Sequence, residues 1–223
     1  PEVVLVDFGA GNARKVGPLL EALQPRAYAA LDISRDHLAQ ACEQLRGDHP
    51  QVPVLGICCD YSAMDALPAH PWLAGPRVGF YPGSSIGNFS PDEARGLLRQ
   101  FARLLGADGQ LLIGIDQPKA IPRLEAAYND AAGHSAAFAL NLLRRLNRDL
   151  AGSFDPAGFR YRARWQAEHS RIEMALVSLR PQTVILQGEP WSFAAGEALI
   201  TEYSVKYTAE AFEHLARSAG WIP

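Results

Sequence analysis

Apolar residues fall along this chain in two rhythms. In the first half, short unbroken apolar runs alternate with stretches in which apolar positions recur every three or four residues. Runs at 3–6, 26–31, 53–57, 78–81 and 110–115 predict five strands; an uninterrupted apolar run marks a strand covered on both faces, as in a parallel sheet. The intervening helical stripe at Val16, Leu19, Leu20 and Leu23 predicts a first crossover helix over 14–22, with Pro18 tolerable in its first turn. Further helices are expected at 35–45 and at 97–105. The latter starts at Ser90, where Pro91, Asp92 and Glu93 give proline at the first helical position and acids in the first turn. Five such units predict a doubly wound sheet with strands three, two, one, four and five side by side.

The second rhythm begins after residue 117. Residues 124–150 are helical in pattern and broken near Gly133, and Phe159–Gln166, Arg171–Ser178, Gln182–Leu186 and Ala198–Val205 then alternate as antiparallel strands with turns at Glu168, Arg180 and Gly188. An antiparallel segment set into parallel units reads as a second subdomain. The expected organisation is a Rossmann-like sheet domain over 1–117, a substrate-binding insert over 118–207, and a helix at 208–223 that returns to the first domain. The chain is also expected to continue past both ends, since it starts inside its first strand and Gly220, Trp221, Ile222 and Pro223 read as the start of another.

With 223 residues, 48% hydrophobic and 20% charged, the chain is long enough for one large domain or a domain with a sizeable insert. A net charge of -3 without any block of like charge argues against nucleic acid or an anionic membrane as partner. No apolar run approaches the roughly 20 residues of a membrane-spanning helix. Cys42, Cys58 and Cys59 form no CxxC, which fits a reducing cytoplasm. A monomer is expected. The six histidines are scattered and predict no metal site.

The chemistry concentrates in VVLVDFGAGNARK, where the first strand stops at Asp7 and opens into Gly9, Ala10 and Gly11. Glycines here let the backbone turn tightly and let a ligand approach without meeting a Cβ. Two ligands compete for such a loop, NAD(P) and S-adenosylmethionine, with a turn that binds nothing as the third alternative. A pyrophosphate fingerprint needs a third glycine three positions after the second, and Arg14 stands there. That spacing favours S-adenosylmethionine, and Asp7 is placed to neutralise a methionine ammonium directly or through water. Asp32, at the end of the second strand, is either an acceptor for ribose hydroxyls or an N-cap, a task Ser34 would perform equally well. Asp60, after the third strand, can accept from the adenine amine. Tyr61 is either a wall for that ring or ordinary packing. After the fourth strand, PGSSIGN brings Gly83, Gly87 and Asn88 to the sheet edge where ligands sit in open parallel sheets. No GxSxG elbow occurs.

Five segments in order, VDFGAGNARK, FYPGSSIGNFSP, AYNDAAGHSAAFALNLLRRLNRDL, RIEMALVS and ITEYSVKYT, resemble the histidine-specific methyltransferase family. That family makes the trimethylated betaine hercynine in ergothioneine synthesis, and the resemblance spans nearly the whole chain. It implies an α/β fold with a class I methyltransferase sheet and an inserted α+β substrate subdomain, S-adenosylmethionine as cofactor, and L-histidine as substrate. It further implies cofactor contacts at Gly9, Lys15, Asp32, Asp60 and Tyr61, with Lys15 pairing the cofactor carboxylate; Asp7 and Gly11 join this set from the reading of the loop itself. Substrate contacts would fall on Asn88 and Tyr128 for the α-amino and carboxylate end, on Glu202 and Ser204 for the imidazole, and on Met174 as pocket lining, with Gly83 added from its place at the sheet edge. Family members also carry a segment ahead of the first strand whose tyrosines close over the imidazole. No catalytic base is assigned.

Overall fold

A computed structural model describes residues 2–223. They fall into two compact units, one formed by residues 2–86, Ser90–Ile115 and Ala209–Pro223, the other by Gly87–Phe89 and Asp116–Thr208.

The first unit is built on a parallel sheet of β1 (Val4–Phe8), β2 (Ala27–Asp32), β3 (Val54–Cys58), β4 (Arg77–Tyr81) and β5 (Gln110–Ile113), in the order β3-β2-β1-β4-β5. The expected order is the observed one. β1 is central and buried at all five positions, whereas the edge strands β3 and β5 are only partly covered. Helices α1 (Gly17–Leu23), α2 (Arg35–Asp48), α3 (Pro91–Leu105) and α6 (Ala209–Ser218) complete this unit. On one side Leu5, Val16, Leu20, Tyr28, Leu38 and Val54 share a core. Elsewhere Phe101 of α3 stacks on Phe8 at 4.2 Å and meets Tyr81 edge-on at 5.0 Å.

The start of α3 follows from its sequence. Ser90 and Glu93 form a reciprocal capping box: the Ser90 backbone donates to the Glu93 carboxylate at 2.8 Å and the Ser90 hydroxyl accepts from the Glu93 N–H at 3.4 Å. The helix expected over 14–22 begins only at Gly17, which leaves Pro18 in the first turn where its missing N–H costs no bond. The fifth strand stops at Ile113, short of residue 115. Residues 220–223 form no strand; Trp221 instead donates its indole N–H to the Leu98 carbonyl at 2.9 Å.

The second unit holds α4 (Ile121–Tyr128) and α5 (His134–Asp149), then a three-stranded antiparallel sheet of β6 (Phe159–Gln166), β7 (Arg171–Ser178) and β10 (Ala198–Val205) in the order β10-β7-β6. A separate hairpin pairs β8 (Gln182–Leu186) with β9 (Glu189–Phe193). The helical break falls at Gly133, which has φ of 75°. Asp130 accepts from the backbone N–H groups of His134 and Ser135, which holds its carboxyl well below the usual range and closes the exposed start of α5. The four strands read from alternation have the expected bounds. β9 is additional: its first four residues are exposed and it contains Pro190, so it carries no alternating signal.

Candidate functional site

In the first unit the loop after β1 is tied to β2. Gly9 and Ala10 donate to the Leu31 carbonyl at 2.9 and 3.0 Å, and Gly11 donates to Asp32 Oδ2 at 2.9 Å. Gly9 and Gly11 take φ of 75° and 55°, the left-handed region that disfavours a side chain, and nothing lies within 4 Å of where a Cβ on Gly11 would stand. The result is a rigid loop with one open face.

Asp7 lies beneath that loop and is 3% exposed. Its Oδ2 accepts from the Tyr28 hydroxyl at 2.7 Å, while its Oδ1 is buried and finds no hydrogen-bond partner among the described residues. Burial pushes the carboxyl up to about 6; the Tyr28 bond opposes the rise, nearby Asp32 adds to it and Lys15 opposes it. An acceptor left unpaired in a buried site is a costly feature that a cationic or N–H ligand would offset.

Asp32 performs a structural task as well as facing the loop, since its Oδ1 also accepts from the Ser34 N–H at 2.9 Å. Ser34 occupies the N-cap position of α2 but makes no side-chain cap bond there. Each Asp32 oxygen keeps a second lone-pair direction for a further donor. Asp60 is exposed, and its Oδ1 accepts from the Ser62 hydroxyl and N–H, which holds its carboxyl below the usual range. Tyr61 packs edge-on against Phe8 and Tyr81, and its hydroxyl stands 3.5 Å from the position of a Cβ on Gly9. Packing and loop wall are thus one arrangement.

Lys15 and Gly83 are neighbours. A Cβ on Gly83, where φ is 78°, would lie 2.6 Å from Lys15 Nζ. Both residues belong to the first unit, and Gly83, expected on the substrate side, is a neighbour of Lys15, expected on the cofactor side. Replacing Gly83 with alanine should therefore cost about 1 kcal/mol of stability through the strained φ. It should also displace the Lys15 ammonium and weaken cofactor binding roughly ten-fold, as for a lost charged contact, measured by calorimetry beside a thermal melt.

The second unit contains a cavity of about 570 Å³ whose lining includes Tyr128, His134, Phe138, Tyr161, Met174 and Glu202. Glu202 follows a register shift in the β10 pairing and sits opposite Met174 of β7. The bulge accounts for a carboxylate that alternation alone would assign to solvent. Burial pushes its carboxyl up. Tyr161, which the sequence did not single out, donates its hydroxyl to the Tyr128 carbonyl at 2.8 Å and fixes the end of α4.

Besides Gly83, two further expected substrate residues are not in this cavity wall. Ser204 is 4% exposed and is not part of the cavity wall; its hydroxyl is paired with the Tyr128 hydroxyl at 2.8 Å and accepts from Lys206 Nζ at 2.8 Å. It supports Tyr128 from behind. Asn88 is exposed at the end of the short turn Ser85–Asn88 and is likewise outside the cavity wall. Gly87 holds that segment against the end of β10, because a Cβ there would lie 2.6 Å from the Val205 carbonyl oxygen. Among the described residues no three His, Cys, Asp or Glu side chains are grouped to hold a metal ion, and no helix is long and apolar enough to cross a membrane.

A five-stranded parallel sheet in this order, with a glycine loop after β1 and an antiparallel insert, is a class I methyltransferase-like fold. The model of a family described as "Histidine-specific methyltransferase, SAM-dependent" matches residues 1–223, and the chain belongs to that family. It is 33% identical over 212 residues to a histidine N-alpha-methyltransferase of Mycolicibacterium smegmatis, covering 92% of this chain and 65% of that protein. It is 30% identical to a histidine N-alpha-methyltransferase of Mycobacterium tuberculosis, covering 97% of this chain and 68% of the other. A 4-dimethylallyltryptophan N-methyltransferase of Claviceps purpurea is 28% identical, over 79% of this chain and 58% of its own length. The chain thus spans about two thirds of the two mycobacterial relatives.

Proposed function

We propose that this protein transfers methyl groups from S-adenosylmethionine to the α-amino nitrogen of L-histidine, yielding the trimethylated betaine. The carrying observation is a half-buried carboxylate, Glu202, in the same cavity wall as Tyr128, within a chain of the histidine-specific family. An imidazole N–H pairs with such a carboxylate; an apolar side chain would leave it unpaired.

The residues of the first unit suit the cofactor. Asp7 offers a buried acceptor to the methionine ammonium, Lys15 a cation to its carboxylate, Asp32 two oxygens to the ribose, and Asp60 with Tyr61 an acceptor and a ring edge to the adenine. S-adenosylmethionine supplies a methyl group on a positively charged sulfur, so the acceptor amine must be neutral and aligned. Alignment alone lowers such a barrier by several kcal/mol. Tyr128 donates to the substrate carboxylate, and the exposed Asn88 amide accepts from the amine where the amino end of the substrate projects beyond the cavity wall. Neither is a strong base, and no proton acceptor is assigned.

The test is binding in the presence of S-adenosylhomocysteine. Histidine should bind more tightly than tryptophan, and Asn88→Ala should weaken histidine by about 1.5 kcal/mol, the worth of a bond to a charged group, with cofactor affinity unchanged. Tighter binding of tryptophan would favour a second reading, an N-methyltransferase for another aromatic amino acid. Phe138 and Met174 in the cavity wall give that reading its apolar contacts.

A further inference from the structure

Glu202 and Ser204 of β10 and Lys206, one residue past its end, occur at every second position and so fall on one face of the extended chain. Lys206 closes that row. Its side chain is 0% exposed, and its ammonium has three acceptors: the Tyr128 hydroxyl at 2.5 Å, Ser204 Oγ at 2.8 Å and Asp116 Oδ2 at 3.1 Å. Three donors meet three acceptors, with no water needed. Asp116 is itself held by Lys119 and by the Gln117 N–H; burial pushes its carboxyl up, but the bonds from Lys119 and Lys206 bring it below the usual range.

The direction of the remaining hydrogens follows from burial. Were Tyr128 to donate to Ser204, the buried Ser204 hydroxyl would accept twice and its own hydrogen would need another acceptor. Were Ser204 to donate to Tyr128, every buried donor would be paired and the Tyr128 hydrogen would be left free of this network, available to a ligand in the cavity that Tyr128 lines. An unpaired buried donor costs about 1–3 kcal/mol, so the second order wins.

We infer that Lys206, anchored by Asp116, is a positioning residue that turns the Tyr128 hydroxyl into a fixed donor for the carboxylate of the amino-acid substrate. This rests on the functional reading above, in which Tyr128 meets that carboxylate. Lys206 does not touch substrate. It sets which way Tyr128 donates, directly and through Ser204.

The test is a double-mutant cycle on ligand binding, with S-adenosylhomocysteine present and two ligands compared. L-histidine carries the carboxylate; histamine has the same ring and amine without it. Lys206→Met and Tyr128→Phe should each weaken histidine by roughly ten-fold, and the double variant should be no weaker than either single one, because both remove the same donor. Histamine should bind all four proteins alike. Lys206→Gln, which keeps length and one amide donor, should recover part of the histidine affinity and serves if Lys206→Met does not fold. Multiplying losses, equal losses for histamine, or unchanged histidine binding in Lys206→Met or Lys206→Gln would overturn the inference. Wild-type protein that binds histamine but no amino acid would overturn instead the functional reading beneath it.

Discussion

Alanine at Glu202 is expected to weaken histidine binding by roughly a hundred-fold, close to 3 kcal/mol, while leaving tryptophan within a few-fold. The reason is local. Glu202 follows the bulge in β10, half-buried in the cavity wall, and burial alone raises its carboxyl, so the charged form is waiting for a donor. An imidazole N–H supplies one, and the bond is charge-assisted. Removing the carboxylate removes that bond and also removes the penalty that an apolar ring suffers beside it. The ratio of histidine to tryptophan affinity should therefore fall more than either affinity alone. Equal losses for both ligands would mean that Glu202 shapes the cavity and reads no heterocycle.

Asp7→Asn should act in opposite directions on stability and on binding. The folded protein holds the Asp7 proton up to about pH 6, against 3.8 for an ordinary aspartate, so between those values the folded state binds more protons than the unfolded one. Stability contributed by this group is present at low pH and is lost as pH rises through that window, with no further change above it. Asparagine keeps an acceptor for Tyr28 and carries no charge. The variant should lose the fall in stability between about pH 4 and 6 and melt no lower than wild type at pH 7.5. Its cofactor affinity should drop by roughly ten- to a hundred-fold, as for a lost bond between charged groups. In the wild type, cofactor binding should strengthen as pH rises through 6 with release of a proton, a dependence that calorimetry in buffers of different ionisation enthalpy would reveal. Asparagine with wild-type affinity would remove Asp7 from the cofactor site.

What the sequence made legible was whatever repeats. Unbroken apolar runs gave the five parallel strands and their order, and one-by-one alternation gave four antiparallel strands with their bounds. The exposed hairpin strand Glu189–Phe193 has no such repeat and could not be read. The positive-φ glycine turn after the first strand was legible from Gly9 and Gly11, whereas side chains whose burial depends on a distant partner were much less so. Lysine ordinarily reads as solvent-facing, and only the pairing of Lys206 with Asp116 and Tyr128 shows it to be buried. Ser204 changes meaning for the same reason: its hydroxyl is consumed by that network. Tyr161 carried no signal beyond its place in an alternating strand.

Which amine receives the methyl group is measured most directly by mass spectrometry of the amino acid after incubation with the protein and S-adenosylmethionine. L-histidine should gain one, then two, then three methyl groups, all on the α-nitrogen, and should be consumed in preference to tryptophan in a mixture. Unmodified histidine alongside intact cofactor binding, or preferential methylation of tryptophan, would contradict the account.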